Sequence, residues 1–477
     1  MLFSAPVFLF YFLPVCLMFY FILKKTTARN VLLTIMSLLF YAWGEHKFVF
    51  IMLLSIAFNT VMAIHIENIG NDEKNKSRKT VMLFFAVFVN LGILFVFKYL
   101  NFAILNINRL GFDFTPTAIT LPIGISFFTF QAMSYVIDVY RGDCKANKNP
   151  MEVALYISFF PQLIAGPIVR YKDIAEQINN RSHSFDKFSD GVVRFIIGFS
   201  KKILIANNCA YVADMAFDAP ERSVAMAWLG AIAYSFQILF DFSGYSDMAI
   251  GLGKMFGFKF LENFDDPYCA KSVGEFWRRW HMSLQRFFRD YVYFPMGGSR
   301  VNKKSRLIFN MFTVWLLTGI WHGASWNFIA WGLFYFVLLV FEKLTGITKK
   351  LKNVFLIQLY RIFTLLCVLF GWVLFRAVGG HATLSYVKSM FTSSLGFIDD
   401  TVIFAFGERW FFLILALIAS CGVGKKFAKF QEKHPIKQPI LAGATQTVLI
   451  GGLMFAFIWS ISYVILGSHD PFIYFNF

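Results

Sequence analysis

Residues 6–23 read PVFLFYFLPVCLMFYFIL, an apolar run without a charged side chain. Runs of the same kind cover 81–97 and 440–466. A stretch of about 18–20 apolar residues is long enough to cross the hydrocarbon core of a bilayer as a helix. These runs therefore predict that the chain is a polytopic integral membrane protein.

The composition supports this prediction. Hydrophobic residues make up 57% of the chain and charged residues 15%, whereas soluble domains have about 45–50% and about 25%. The net charge of +17 fits the excess of Lys and Arg in cytosolic loops of membrane proteins, so we expect membrane lipid and no nucleic acid as a partner. The six cysteines show no CxxC spacing, and we expect no metal.

The basic residues predict an orientation in the membrane. Five early spans are predicted near 6–23, 30–44, 48–66, 79–100 and 118–140. The loops after the first, third and fifth spans carry ten basic residues, and the loops after the second and fourth carry two. The positive-inside rule therefore places the N-terminus outside and the odd-numbered loops in the cytosol.

Eight later segments complete the predicted architecture. They lie near 151–167, 191–213, 224–252, 307–322, 325–342, 354–376, 406–423 and 440–466. Several contain Gly, Pro or charged residues and are expected to be re-entrant or interfacial. The prediction is an all-α protein with roughly 11–13 membrane helices. No hydrophilic linker separates a second domain, so 1–477 is taken as a single transmembrane domain.

The stretch 238–257 places acidic residues in an apolar run. Asp241 and Asp247 lie there with Ser243, which is four residues before Asp247 and shares its helix face. An acidic residue inside a membrane is costly and therefore indicates function, which makes Asp247 and Ser243 candidate substrate-binding residues. The alternative is structural: the carboxylates cap a broken helix or pair with an arginine of the next stretch.

The stretch 275–306 is basic and aromatic. It contains Arg278, Arg279, Trp280 and His281 in the sequence RRWH. On a helix this pattern is typical of a segment that lies in the membrane interface. Arginine also binds phosphate through its planar guanidinium, so Arg278, Arg279 and Trp280 are candidates for binding a phosphorylated acyl donor. The basic surroundings favour a neutral His281.

The stretch 315–327, WLLTGIWHGASWN, ends an apolar run with His322. Trp321 precedes this histidine and Asn327 follows five residues later. A neutral histidine in a dehydrated site can accept the proton of a substrate hydroxyl as a general base. On physical grounds alone, a structural histidine is slightly favoured over a catalytic one at this position. The GxSxG and HExxH motifs of serine and zinc hydrolases are absent from the sequence.

Taken together, these stretches resemble the membrane-bound O-acyltransferase superfamily, specifically its bacterial alginate O-acetyltransferase branch. The motifs that carry the resemblance are LPIGISFFTFQAMSYVIDVYRG (121–142), PQLIAGPIVRY (161–171), DFSGYSDMAIGLGKMFGF (241–258), FWRRWHMSLQRFFRDYVYFPMGGSR (276–300), TGIWHGASWNFIAWG (318–332) and PFIYFNF (471–477). They span most of the chain in the order of the family.

The resemblance implies a fold and a site. The family fold is a ring of tilted helices around a central tunnel that joins the two membrane faces. The catalytic histidine of the family falls on His322, and its second histidine falls on His281. Acyl transfer also needs donors for the developing oxyanion. His281, Asn327 and backbone amides near Gly323 are the candidates, and the sequence does not choose between them.

The resemblance also implies donor, acceptor and partner. The donor is a cytosolic thioester, expected to be acetyl-CoA, with no permanently bound cofactor, and the acceptor is a cell-envelope polysaccharide. This chain is expected to lie in the bacterial plasma membrane, and a separate extracytoplasmic protein is expected to complete the transfer. One alternative is D-alanyl transfer toward teichoic acid, in the same family. Another is a transporter of a lipid-linked precursor, with Asp241 and Asp247 relaying protons. A third is a structural scaffold of the cell envelope.

Overall fold

The computed structural model describes residues 1–70, 72–433, 439–467 and Ile473. These residues form helices and loops, and none of them lies in a strand, which confirms the all-α prediction. They divide into two compact units, Met1–Arg194 with Met248–Leu261 and Phe195–Asp247 with Glu262–Phe477. The terminal motif 471–477, apart from Ile473, lies outside the described residues. A single transmembrane domain over 1–477 stays a prediction.

Among the described residues, nine α-helices lie entirely in the first unit. They are α1 (Leu13–Ile22), α2 (Thr26–Gly44), α3 (Val49–Asn68), α4 (Glu73–Leu94), α5 (Leu100–Asn108), α6 (Ile125–Arg141), α7 (Pro150–Ser158), α8 (Phe160–Leu163) and α9 (Tyr171–Asn179). The stretches Phe8–Phe12 and Phe95–Tyr99 are π-helical and extend α1 and α4.

Two of the unit boundaries fall within α10 (Phe185–Ser200) and α12 (Val224–Met255), and the third lies between Leu261 and Glu262. The remaining helices belong to the second unit: α11 (Asn207–Asp218), α13 (Val273–Arg279), α14 (Met282–Phe288), α15 (Lys304–His322), α16 (Trp326–Thr345), α17 (Ile347–Lys350), α18 (Val354–Arg376), α19 (Gly380–Ser389), α20 (Asp400–Ser420), α21 (Val423–Lys433) and α22 (Pro439–Ile465). Lys201–Ala206 and Arg289–Tyr293 are π-helical, and Pro267–Cys269 is a 3₁₀ turn.

Seven helical segments among the described residues are long and apolar enough to cross a membrane. They are Val49–Asn68, Lys74–Asn108, Val224–Met255, Trp326–Thr345, Val354–Arg376, Asp400–Ser420 and Gly443–Ile465. A shorter apolar helical segment covers Phe8–Ile22. Each of the seven coincides with a predicted span, which supports a multi-pass membrane protein. The other predicted segments are present as shorter or more polar helices.

Side-chain caps explain where several of these helices begin. Asn149 accepts a hydrogen bond from the backbone N–H of Met151 at the start of α7 (3.1 Å). Asn353 does the same for α18, accepting from Phe355 N (2.8 Å). Such caps satisfy backbone donors that have no partner within the helix. The local sequence therefore determines these boundaries.

The predicted segment 151–167 is broken in the structure. Helix α7 ends at Ser158, and α8 covers only Phe160–Leu163. Gly166 follows, where a Cβ atom would lie 2.6 Å from Gln162 Cα and 2.8 Å from the Pro161 carbonyl oxygen. A glycine is required where backbone segments approach so closely. The AGP sequence of the motif 161–171 therefore forms part of a tight turn in the first unit.

Two ion pairs hold the acidic residues of α12 in the second unit. Lys202 Nζ lies 2.7 Å from Asp241 Oδ1, and both side chains are buried. Asp241 Oδ2 also accepts a hydrogen bond from Ile473 N (3.0 Å). Lys201 Nζ lies 2.7 Å from Asp247 Oδ2. The structural alternative named an arginine as the partner of these carboxylates. Both carboxylates pair with consecutive lysines of the π-helical stretch Lys201–Ala206, which that alternative did not name.

Helices α15 and α16 cross at two glycines. A Cβ atom at Gly319 would lie 2.5 Å from the Phe328 carbonyl oxygen, and one at Gly332 would lie 2.4 Å from that of Trp315. Small residues allow helices to approach closely, as is common in membrane proteins. The crossing brings Trp331 of α16 against the last turn of α15, with ring centroids of His322 and Trp331 4.9 Å apart.

Candidate active site

His322 is the last residue of α15 and is buried. Its ring packs edge-on against aromatic rings from two other helices, Trp331 of α16 (4.9 Å between centroids) and Phe375 of α18 (5.2 Å). Aromatic contacts of this kind fix the plane of an imidazole without using its nitrogen atoms. The helix end and the two rings therefore determine where this imidazole lies.

His281 connects α13 and α14 with an unusual backbone. Its φ of 43° and ψ of 51° lie in the left-handed region, where it and Asp266 are the only residues other than glycine among those described. Such a conformation costs about 1–3 kcal/mol and persists only where the surrounding structure enforces it, often at functional sites. The imidazole is buried against the ring of Phe242, 4.6 Å away.

Asn263 supplies the contacts that hold His281 in place. Its backbone carbonyl accepts a hydrogen bond from Met282 N (2.9 Å). Its side-chain Oδ1 lies 3.1 Å from His281 Nδ1 and accepts from the Ser283 hydroxyl (2.9 Å) and the Ser283 backbone N–H (3.2 Å). Its Nδ2 donates to the hydroxyl of Ser246 on α12 (2.9 Å). One buried amide thus connects α12 to the chain around His281.

The two histidines line one cavity of about 630 Å³ in the second unit. Arg278, Arg286 and Lys343 line the same cavity, and Arg278 and Lys343 are exposed. Most of the remaining lining is apolar. Burial lowers the pKa of His281 well below its ordinary value, and His322 acts in the same direction. A neutral imidazole at neutral pH follows, which is the form that accepts a proton.

Three further predicted residues lie close to the histidines or to the cavity. The Trp321 ring contacts both imidazoles, 5.8 Å from His281 and 5.0 Å from His322. Arg278 lines the cavity directly. Trp280 is buried in an aromatic cluster, where its ring centroid lies 4.8 Å from that of Trp372 and 5.1 Å from that of Phe264.

The other four predicted residues have different surroundings. Arg279 forms an ion pair with Glu275 (2.7 Å), and Asp247 forms its pair with Lys201. Ser243 is buried on α12. Asn327 donates its amide hydrogens to the carbonyl oxygens of Ala377 and Leu374 and accepts from Gly379 N. None of the four lines the cavity.

Neither Asn263 nor Ser246 was singled out from the sequence. The signal for Ser246 was present, because it lies in the motif DFSGYSD together with Phe242. Asn263 follows eight residues after the end of α12 in a loop without recognisable spacing. Glu342 was also missed. It is buried on α16 and accepts hydrogen bonds from the backbone N–H groups of Val273 (2.8 Å) and Gly274 (2.9 Å), and so holds the start of α13.

Gly323 is the site of the first testable change. A Cβ atom there would lie 2.3 Å from the ring of Phe328. We expect Gly323→Ala to displace His322 and to lower kcat about 100-fold, because misplacing a catalytic group by about 1 Å has effects of that size. Turnover by the reconstituted protein of the acyl thioester that the family resemblance implies as donor measures this. Adding Phe328→Leu makes room for the methyl group and should recover most of the loss, and a double variant no better than Gly323→Ala contradicts the steric explanation.

Comparison with known proteins adds an independent line of information. Residues 145–379 match the profile described as MBOAT, membrane-bound O-acyltransferase family. A probable alginate O-acetylase AlgI of Pseudomonas putida is 39% identical, covering 100% of this chain and 100% of that protein. A peptidoglycan O-acetyltransferase of Helicobacter pylori is 36% identical, covering 82% of this chain and 80% of that protein. A teichoic acid D-alanyltransferase of Bacillus subtilis is 30% identical, covering 54% and 69%.

Proposed function

Since this chain belongs to the membrane-bound O-acyltransferase family, we propose that it transfers acetyl groups from cytosolic acetyl-CoA toward hydroxyls of a polysaccharide outside the plasma membrane. His281 and His322 are the proposed catalytic residues. The observation that carries the proposal is the shared cavity: two buried histidines and several basic side chains line the same space of about 630 Å³.

The cavity is lined by both exposed cationic side chains and buried histidines, which suits a thioester donor with a charged head group. Arg278 and Lys343 are exposed, whereas His281 and His322 are 2% and 6% exposed. Neither cation forms an ion pair with any residue that the structure describes. They are therefore available for the phosphates of coenzyme A, and the apolar walls suit the uncharged pantetheine arm. A donor held in this way presents its thioester to the buried histidines.

The transfer itself requires a base. An imidazole nitrogen accepts the proton of the acceptor hydroxyl while the hydroxyl oxygen attacks the thioester carbonyl carbon. The C–S bond then breaks, and the proton passes to the thiolate sulfur, so that the products are an oxygen ester and free coenzyme A. Both imidazoles lie in apolar, aromatic surroundings. Burial lowers the pKa of His281 and so keeps that imidazole neutral and able to accept a proton.

The relatives favour acetyl over D-alanyl transfer. The alginate and peptidoglycan acetyltransferases match over 82% to 100% of this chain, and the D-alanyltransferase matches over 54%. We accordingly propose an acetyl donor and a sugar hydroxyl of the cell envelope as the final acceptor. A separate extracytoplasmic protein would complete the transfer. The comparisons also leave the transporter and scaffold alternatives without support, because the matched proteins are named as transferases.

The identity of the ester in the cell envelope tests the proposal. Envelope polysaccharide from cells with the gene and from cells without it is treated with mild base, and the released acids are identified. We expect acetate to be lost with the gene and restored by complementation. Loss of D-alanine instead would keep the family and refute the acetyl donor. An unchanged ester content would refute acyl transfer to the envelope.

The cations of the cavity give a further prediction. In the double variant Arg278→Ala/Lys343→Ala, we expect KM for acetyl-CoA to rise about tenfold with kcat within about twofold, because two partly solvated charge contacts contribute about 1 kcal/mol or less each. S-acetylpantetheine lacks the phosphates, and its KM should not change. Lys388→Ala, which removes an exposed lysine of α19, is the control. Equal effects on both donors would contradict phosphate binding.

A further inference from the structure

The hydrogen bonds of Asn263 determine which way its amide points. Oxygen and nitrogen of an asparagine amide are distinguished by their partners. The backbone N–H of Ser283 is a donor without acceptor capacity, and it lies 3.2 Å from Oδ1. The atom facing it must therefore be the oxygen. The amide nitrogen then faces Ser246 Oγ at 2.9 Å, which has lone pairs to accept its hydrogen.

This orientation determines the tautomer of His281. Asn263 Oδ1 lies 3.1 Å from His281 Nδ1. An amide oxygen only accepts, so Nδ1 carries the hydrogen. The Ser283 hydroxyl, 3.4 Å from Nδ1, donates to the same Oδ1 at 2.9 Å and is therefore not the donor to Nδ1. In the neutral ring, Nε2 then holds the lone pair. This nitrogen has no hydrogen-bond partner among the residues that the structure describes.

The backbone around His281 reinforces the same arrangement. Asn263 binds the segment twice, through its carbonyl oxygen to Met282 N (2.9 Å) and through its side chain to Ser283 N. The left-handed conformation of His281 is held between these contacts and the ring of Phe242. A residue that fixes both the backbone and one ring nitrogen leaves the imidazole little freedom to rotate.

We propose that Asn263 is a positioning residue that holds His281 in its Nδ1–H tautomer, so that Nε2 is a hydrogen-bond acceptor in the cavity. This inference rests on the proposed acyl transfer. It assigns His281 the role of a base toward the acceptor hydroxyl and excludes it as a hydrogen-bond donor to the oxyanion. The amide of Asn327 already donates to backbone carbonyls. Of the three candidate oxyanion donors, the backbone amides near Gly323 remain.

The tautomer is measurable without any activity. The protein is labelled with ¹⁵N-histidine and reconstituted in lipid nanodiscs, and the His281 signals are identified by their loss in His281→Gln. We expect a protonated Nδ1 and an unprotonated Nε2 at neutral pH. A protonated Nε2 would overturn the proposal. Because this readout needs no substrate, it remains decisive even if the wild-type protein fails to release thiol from acetyl-CoA, a result that would refute only the proposed function.

Two substitutions of Asn263 separate positioning from simple structural support. Asn263→Asp keeps an acceptor at Nδ1 but adds a negative charge, which favours the imidazolium and raises the pKa of His281. The base must be neutral, so activity is lost as the pH falls, and the acid limb of kcat/KM should move up by about one pH unit or more. His322 is the titratable group that acts on His281 in the wild-type protein.

Asn263→Ala removes the acceptor and should lower kcat about 10- to 100-fold at every pH with little change in KM. At pH values above its shifted acid limb, the kcat of Asn263→Asp should lie within about threefold of the wild-type value. Asn59→Asp is the matched control, since Asn59 is a buried asparagine of α3 that pairs with Asn90 in the other unit. Equal loss in the Ala and Asp variants at high pH, or an unmoved acid limb in Asn263→Asp, contradicts the proposal.

Discussion

Replacing His322 by alanine is expected to lower kcat/KM for acetyl transfer by about 10³-fold or more. General acid–base catalysis contributes about 10²- to 10⁴-fold, and the alanine leaves an apolar space without an imidazole beside the proposed base His281. His322 lies at the end of α15 between the rings of Trp331 and Phe375. No other imidazole takes over its position, because His281 is fixed by Asn263 on a different segment. Release of free thiol from acetyl-CoA by proteoliposomes in the presence of acceptor measures the effect.

The control for this experiment is His381→Ala. His381 lies exposed on α19, in the same unit as His322, so its loss should change kcat/KM by less than twofold. Thermal unfolding of both variants establishes that the fold is retained. If His322→Ala keeps more than about one tenth of the wild-type activity while His381→Ala behaves as expected, His322 is not a catalytic residue.

The second large effect is on stability. We expect Lys202→Met to destabilise the protein by about 3–5 kcal/mol, because it leaves a buried carboxylate without its counter-charge. Lys202 and Asp241 are each 1% exposed at the side chain and lie 2.7 Å apart. Asp241 also accepts a hydrogen bond from the backbone N–H of Ile473 (3.0 Å), a neutral group that does not replace the charge of Lys202. Denaturation of the reconstituted protein, monitored by tryptophan fluorescence, gives the change in the free energy of unfolding.

Two further variants test the cause. Lys202→Met/Asp241→Leu removes both charges and should be clearly more stable than Lys202→Met alone, since replacing a complete buried pair by apolar residues is often neutral. Lys201→Met should cost about 1 kcal/mol or less, because the Lys201 side chain is 32% exposed and solvent screens its pairing with Asp247. A single Lys202→Met variant as stable as wild type would show that the pair contributes nothing to folding.

These ion pairs give the acidic residues of α12 a structural role. From the sequence, Asp241 and Asp247 were candidates for a proton relay or a substrate site, because carboxylates are costly in a membrane. The structure pairs both of them with lysines. The DFSGYSD stretch of α12 nevertheless contributes to the site through other residues. Phe242 packs on the ring of His281, and the Ser246 hydroxyl accepts a hydrogen bond from the Asn263 amide.

Much of the secondary structure followed from the sequence. The predicted spans 48–66, 325–342 and 354–376 correspond to α3, α16 and α18 within a few residues. Hydrophobic length determines such helices, and capping residues such as Asn353 determine their ends. The segment 151–167 is different, because Pro161 and the close approach at Gly166 interrupt it. Hydropathy averages over such breaks and does not locate them.

The sequence by itself determined that the chain is a helical membrane protein and that the motifs RWHMSL and WHGASW carry its two candidate catalytic histidines. The tertiary structure decided what surrounds them. It placed His281 and His322 on one cavity, assigned Asp241 and Asp247 to lysines, and brought Asn263 to within 3.1 Å of His281 Nδ1. The physical reason is that helix formation depends on local hydrophobicity and capping, whereas a hydrogen bond between distant residues depends on the path of the intervening backbone.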